Sequence, residues 1–131
     1  GLVWFVYHQI FNINLYLNGF GLSTTTRIMT CEFGKNIYYE EKSIQKNLNL
    51  IQKGDIIFFH RQSLNDNFPK KDNKYPGHCG IYLGNYDFIH CSRPKGKVII
   101  SNFDKNIYWK EVLVASKSVF CDDKILKRIR K

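Results

Sequence analysis

Two histidines, His78 and His90, are the residues whose types and spacing best suit acid–base catalysis. They lie near the two ends of residues 78–91, a segment that reads as a β-hairpin with its turn at residues 84–86. Side chains alternate between faces along a strand, so a three-residue turn places His90 opposite Gly80, with His78 diagonally beside it on the same face. Gly80 has no side chain to fill the space between the rings, which suits an imidazole approached by a second polar group.

Other interpretations of the same segment remain open. Each histidine could be a half-buried structural residue satisfied by local hydrogen bonds. A metal site is a further alternative, because His78-Cys79 and His90-Cys91 offer two nitrogens and two sulphurs. Strand alternation argues against the metal, since neighbouring residues face opposite sides of the sheet. We therefore predict no metal ligands here, and we expect Cys79 and Cys91 to face each other as ordinary buried thiols without a disulfide.

The elements that must position the pair have an α+β order. An apolar helical pattern begins at Leu2 and predicts a buried helix ending near the Asn-rich stretch 12–18, followed by a loop whose Ser23–Thr26 run could cap another short helix. Residues 27–53 are ambiguous, and 61–77 read as a long surface loop. Short, turn-bounded strands with antiparallel pairing are predicted at Ile56–Phe59, His78–Leu83, Phe88–Cys91, Val98–Ser101 and Glu111–Phe120.

Composition limits the possible classes of protein. The 131 residues are enough for one domain, and the net charge of +9 favours polyanionic surroundings such as nucleic acid, anionic lipid or an acidic cell wall. The lysines are scattered through polar loops, and only Lys124–Lys131 form a dense basic cluster. No aromatic-basic recognition motif supports specific nucleic-acid binding, so that function is the least favoured. No apolar run approaches the ~18 residues of a membrane span.

Several segments together resemble the NlpC-type peptidases, a bacterial family of enzymes with a reduced papain-like fold. The resemblance covers residues 1–120 and rests on Gly54-Asp55 before a buried strand, on Gly77–Asn85 and on Phe88–Cys91. The closing stretches 97–100, 108–109 and 114–115 also fit the last strands of the family. The resemblance implies a papain-like α+β fold in which an N-terminal helix packs on a small antiparallel sheet. Residues 121–131 would form a basic C-terminal tail outside this domain.

The resemblance also implies a Cys-His-His site. In the family, the motif Asp-Cys-Ser-Gly precedes an apolar helix, and residues 1–7 are similar to the segment that begins directly after its cysteine and serine. A cysteine at a helix start is activated because the exposed amides and the dipole stabilise thiolate. By position, His78 would be the general base and His90 would orient its imidazole. We expect this sequence to lack the nucleophile and to be inactive.

The activity implied is hydrolysis of peptidoglycan stem peptides, between D-glutamate and a diamino acid, by a secreted or cell-surface monomer that needs no cofactor. The alternative is a catalytically dead domain of the same fold that binds the cell wall or another ligand. Two other cysteines are weaker candidates for the nucleophile. Cys121 precedes an acidic pair that would disfavour thiolate, and Cys31 has no clear helix start behind it. Residues 22–25 lack the arginine of the family's Pro-Arg-Thr-Ser-like segment, and the loop 61–77 is longer than usual.

Overall fold

The computed structural model describes residues 1–16, 24–39, 46–60, 76–92 and 94–119. Three helices and six strands lie within these ranges. They are α1 (Leu2–Phe11), α2 (Thr24–Thr30), β1 (Lys35–Tyr38), β2 (Ile56–Phe59), β3 (His78–Gly84), β4 (Asp87–Ser92), β5 (Lys97–Asn102), α3 (Ile107–Val112) and β6 (Leu113–Ser118), with a short 3-10 helix at Leu48–Leu50. Most of the predicted loop 61–77, the residues around Ser23 and the predicted tail 121–131 lie outside the described residues, as does Cys121.

The described strands form one sheet in the order β1-β6-β2-β3-β4-β5, and every neighbouring pair is antiparallel. Strands β3, β4 and β5 form a meander, in which they follow one another both in the chain and in the sheet. The predicted α+β class and antiparallel pairing are confirmed. β1, which pairs with β6 at one edge, falls in the region that the sequence left ambiguous.

Helix α1 lies where the apolar pattern predicts it, and it packs against β3 and β4. Its buried side chains are Val3 and Tyr7, one helical turn apart, whereas Phe5 and Ile10 are exposed. The helix ends as Asn12 adopts the left-handed conformation with φ 54°. The Tyr7 hydroxyl donates a 2.6 Å hydrogen bond to the carbonyl of Gly54, which fixes α1 against the turn before β2.

Apolar side chains fill both faces of the sheet, because alternate residues of each strand point in opposite directions. Phe58 belongs to the core between the sheet and α1, together with Val3, Tyr7 and Ile81. Phe59 belongs to the core on the other face. That second core includes Ile57, Tyr82, Phe88, Phe103 and Leu113, with Trp109 of α3 packed against it.

The prediction of a strand over Glu111–Phe120 is wrong at its beginning. Residues Ile107–Val112 form helix α3, and β6 starts at Leu113. The Asn106 side chain caps the helix by accepting a 3.1 Å hydrogen bond from the amide of Tyr108. The β-prone residues of this segment are thereby held as a helix that places Trp109 over the sheet.

Within the described residues, no helix has both the length and the apolar character required to cross a membrane.

Candidate active site

The β3–β4 hairpin has the predicted register, with Gly80 opposite His90 and Ile81 opposite Ile89. Its turn differs from the expected three-residue loop. Gly84 pairs with Asp87, and a bulge between Tyr82 and Gly84 takes up the extra residue. Asn85 and Tyr86 form the turn with φ values of 53° and 67°, the left-handed backbone that tight hairpins require. The bulge restores the pairing beyond it, so the histidines still share a face.

Gly80 is needed for steric reasons. A Cβ atom at this position would lie 2.7 Å from the carbonyl oxygen of Ile89 and 3.1 Å from Cβ of His90. Both distances are shorter than ordinary van der Waals contact, and the first involves backbone. Any other residue would therefore push strand β4 or His90 away from its position.

His78 and His90 are in direct contact, as the hairpin predicts. Nε2 of His78 lies 2.8 Å from Nδ1 of His90, and the ring planes are inclined at 77°. His90 is only 2% exposed, and its other nitrogen, Nε2, lies 2.8 Å from the Ser101 hydroxyl on β5. A hydrogen-bonded series thus runs across three neighbouring strands, from His78 through His90 to Ser101.

The environment of His90 keeps its imidazole neutral. Burial, and secondarily the nearby His78, lower the pKa of His90 from 6.5 to about 4. At neutral pH the ring therefore carries one N–H donor and one lone-pair acceptor. Such a ring can accept a hydrogen bond from His78 and donate one to Ser101.

Aromatic rings enclose the histidine pair. Trp109 packs edge-on against His90 at a centroid distance of 4.9 Å, and Phe88 lies 4.9 Å from the same ring. Phe59 contacts His78 at 5.8 Å. The rings shield the contact between the imidazoles from water, which strengthens its electrostatics.

Sequence reasoning missed Ser101 and the role of Trp109. Ser101 shares a face with Ile99, the partner of His90, but strand alternation could have identified it only together with the β4–β5 register, which the sequence does not fix. Trp109 gave no comparable signal, since its place over the sheet depends on helix α3.

A cleft of about 180 Å³ lies where β3 begins and α1 starts. Its lining includes Gly1, Leu2, Tyr16, His78, Cys79 and Cys91. The residue at the N-cap of α1, Gly1, makes no side-chain capping hydrogen bond. His78 therefore lines the same cleft as the N-terminal end of α1, where a negative charge would be stabilised.

The cysteines of the hairpin do not join the histidines. Cys79 lies on the opposite face from His78 and packs against the core under α1. Burial raises the pKa of the Cys79 thiol to about 12, which makes thiolate unavailable at neutral pH. Cys79 and Cys91 are both free thiols, but the prediction that both are buried is wrong for Cys91, which is exposed. No cluster of three or more metal-binding side chains occurs in the part of the chain that the structure describes.

Residues 1–118 match the NlpC/P60 family, and the chain belongs to that family. Its members are typically cysteine peptidases that hydrolyse peptidoglycan. The family assignment made from the sequence is therefore confirmed, and so is the α+β fold of a helix on an antiparallel sheet. The catalytic roles of His78 and His90 remain predictions.

Among curated proteins, the chain is similar to a gamma-DL-glutamyl hydrolase of Bacillus subtilis (strain 168), with 28% identity over 72 residues, 55% of this chain and 16% of that protein. It is also similar to a probable endopeptidase NlpC homolog of Haemophilus influenzae, with 30% identity over 82 residues, 61% of this chain and 36% of that protein. Among solved structures, an NlpC/P60 family protein from Bacillus cereus ATCC 10987 matches with a TM-score of 0.40 and 25% identity, over 53% of this chain and 20% of that one. The chain thus spans well under half of each of these proteins.

Proposed function

We propose that this chain supplies the two histidines of a Cys-His-His peptidase site that hydrolyses peptidoglycan stem peptides between D-glutamate and a diamino acid. The nucleophile would be a cysteine two residues before Gly1, at the start of α1. His78 would be the general base and His90 the group that orients it. The enzyme would act outside the cell or at its surface, where its net charge of +9 favours association with acidic wall polymers.

The observation that carries the proposal is the 2.8 Å contact between Nε2 of His78 and Nδ1 of His90. A base oriented by a third group, beside a position for the nucleophile, is the general arrangement of activated nucleophiles. Because Nε2 of His78 is engaged with His90, Nδ1 is the nitrogen that would take the thiol proton. His78 also lines the cleft together with Gly1 and Leu2, so the base lies near the proposed thiol position.

The chemistry would proceed by acyl transfer. The thiol proton passes to Nδ1 of His78, and the thiolate sulphur attacks the carbonyl carbon of the D-glutamyl residue. Backbone amides near the start of α1 would stabilise the oxyanion. The C–N bond then breaks as the imidazolium of His78 protonates the leaving amine. Water attacks the resulting thioester, giving up its proton to His78, and the thiol is regenerated with release of the free carboxylate.

The glutamyl substrate class has independent support. One curated relative is named a gamma-DL-glutamyl hydrolase and another a probable endopeptidase. Both names are compatible with attack on a glutamyl carbonyl in a peptide. Cys79, the residue next to His78 in the chain, is a poor alternative nucleophile, because its side chain lies on the opposite face of the sheet and burial raises the pKa of its thiol.

The test compares two versions of the chain, one with Cys-Ser and one with Ser-Ser placed directly before Gly1. They differ in a single side-chain atom, sulphur in the first and oxygen in the second. We expect the Cys-Ser version to cleave purified muropeptides, with the new amino terminus of the diamino acid detected by mass spectrometry. The Ser-Ser version should be inactive, because serine is a far weaker nucleophile than thiolate. Adding His78→Gln to the Cys-Ser version should lower kcat/KM by about 10²-fold or more, the usual contribution of a general base.

The proposal fails if the Cys-Ser version folds with an unperturbed histidine pair and still leaves every muropeptide intact. Retained muropeptide binding by such an inert protein would identify the domain as a ligand-binding module instead.

A further inference from the structure

Ser101 occupies a defined position relative to His90. In the β4–β5 register, Phe88 pairs with Ser101 and His90 pairs with Ile99, so Ser101 is the diagonal neighbour of His90 on the same face. Its hydroxyl lies 2.8 Å from Nε2 of His90. Since His90 is 2% exposed and contacts the rings of Phe88 and Trp109, this hydroxyl takes the place that water would have at an exposed ring.

A hydroxyl can donate or accept, so two proton arrangements are conceivable for the series. In the first, His90 carries its proton on Nε2 and donates to Ser101, and its Nδ1 lone pair faces His78. In the second, Ser101 donates to Nε2, and His90 carries its proton on Nδ1 and points it at His78. The two arrangements impose opposite protonation on Nε2 of His78.

Only the first arrangement is compatible with a charged His78. An imidazolium carries protons on both nitrogens, so Nε2–H of His78 must donate, and Nδ1 of His90 must accept. His90 then needs an acceptor for its own Nε2–H inside a buried aromatic environment. Ser101 Oγ is placed to be that acceptor.

We propose that Ser101 is a positioning residue that holds His90 in the tautomer protonated on Nε2, so that the Nδ1 lone pair of His90 faces His78. The expected effect of Ser101 on the catalytic rate rests on the function proposed above. Its effect on the tautomer of His90 does not. The hydroxyl acts through His90 and has no contact with substrate in this role.

The first test is ¹⁵N NMR of histidine ring nitrogens at neutral pH, on the chain without any added residues. We expect Nε2 of His90 to be the protonated nitrogen in the unaltered protein and in Ser101→Thr, which keeps the hydroxyl. In Ser101→Ala we expect a mixture of tautomers. Ser116→Ala is the matched control, because it removes another largely buried hydroxyl, bonded to Tyr39, away from the histidines.

A proton on Nδ1 of His90 in the unaltered protein would overturn the inference, even if Ser101→Ala fails to fold. An unchanged tautomer in well-folded Ser101→Ala would overturn it equally.

The second test repeats the variants in the version carrying Cys-Ser before Gly1. We expect Ser101→Ala to lower kcat on the order of tenfold with little change in KM, and Ser101→Thr and Ser116→Ala to stay within about twofold of the parent. Full activity of Ser101→Ala would contradict the positioning role. Inactivity of the parent itself, with the tautomer as expected, would reject the peptidase proposal and leave the tautomer inference standing.

Discussion

At the scale of single residues, His90 combines deep burial with two ring partners, His78 and Ser101. Its folded pKa of about 4 lies below the ordinary value of 6.5. Between these two pH values the unfolded chain binds the proton and the folded chain does not, so acid favours unfolding. The stabilising effect of a neutral His90 is complete above pH 6.5 and is lost as pH falls through 4.

We therefore predict that replacing His90 by Asn weakens the pH dependence of stability in this window. Urea unfolding midpoints measured at pH 7, 5.5 and 4 should fall more steeply for the unaltered chain than for His90→Asn. Between pH 7 and 8 the slopes of the two proteins should coincide, since His90 is neutral in both states there. Parallel curves from pH 7 to 4 would show that His90 titrates normally.

Residue types and local patterns predict only part of the site. His78 and His90 could be paired because their contact depends only on one hairpin and on strand alternation. Ser101 required the register of a third strand, which short-range patterns do not fix. Trp109 required a helix in a segment whose Ile, Tyr, Trp and Val favour a strand locally.

At the scale of the elements, the hairpin depends on close approach of β3 and β4 at Gly80. We predict that Gly80→Ala destabilises the fold by about 1–3 kcal/mol, the usual cost of overpacking. The added methyl group would meet the carbonyl of Ile89 and Cβ of His90, so the 2.8 Å contact between the histidines should also be lost. Histidine ring NMR and urea unfolding measure the two effects separately.

Gly84→Ala is the control for this variant. Gly84 has open space around a Cβ atom but a φ of 89°, so alanine there strains the turn without touching His90. It should lower stability and leave the histidine ring signals in place. Equal disturbance of the rings by both variants would show that general loosening of the hairpin, not the steric contact at Gly80, is responsible.

The elements differ in how far local sequence determines them. α1 and β2–β5 arise from apolar periodicity and turn residues, and the structure has them close to the predicted bounds. Among the residues that the structure describes, the partner of β1 is β6, which lies much later in the chain, so the short segment of β1 carries little local signal. α3 depends on the Asn106 cap and on packing of Trp109, and tertiary contacts there override strand propensity.

At the scale of the whole molecule, two cores lie on opposite faces of one sheet, and adjacent residues of β2 serve one each. Phe58 and Phe59 are both 0% exposed, so truncating either to Ala should cost about 3–5 kcal/mol. Phe59 contacts His78 and Phe58 lies on the other face, so Phe59→Ala should also shift the histidine ring resonances and Phe58→Ala should not. Each variant serves as the control for the other, because both replace a buried Phe by Ala and they differ only in the face of the sheet that is affected.

Urea unfolding gives the stability of both variants, and histidine ring spectra at neutral pH without denaturant give the state of the site. Equal effects of Phe58→Ala and Phe59→Ala on those spectra would contradict this prediction. They would show that both cores, and not only the core that contains Phe59, affect the histidine rings.

The meander of β3, β4 and β5 predicts an order of assembly. His78, His90 and Ser101 come from strands joined by short connections, and such local contacts form early in folding. Helix α1 reaches β3 and β4 only by closing a much longer stretch of chain, which is slower. In the proposed site, with a cysteine at the start of α1, His78 and His90 would be in contact before the thiol reaches them. The docking of α1 on β3 and β4 would then be the last step in assembling the proposed site.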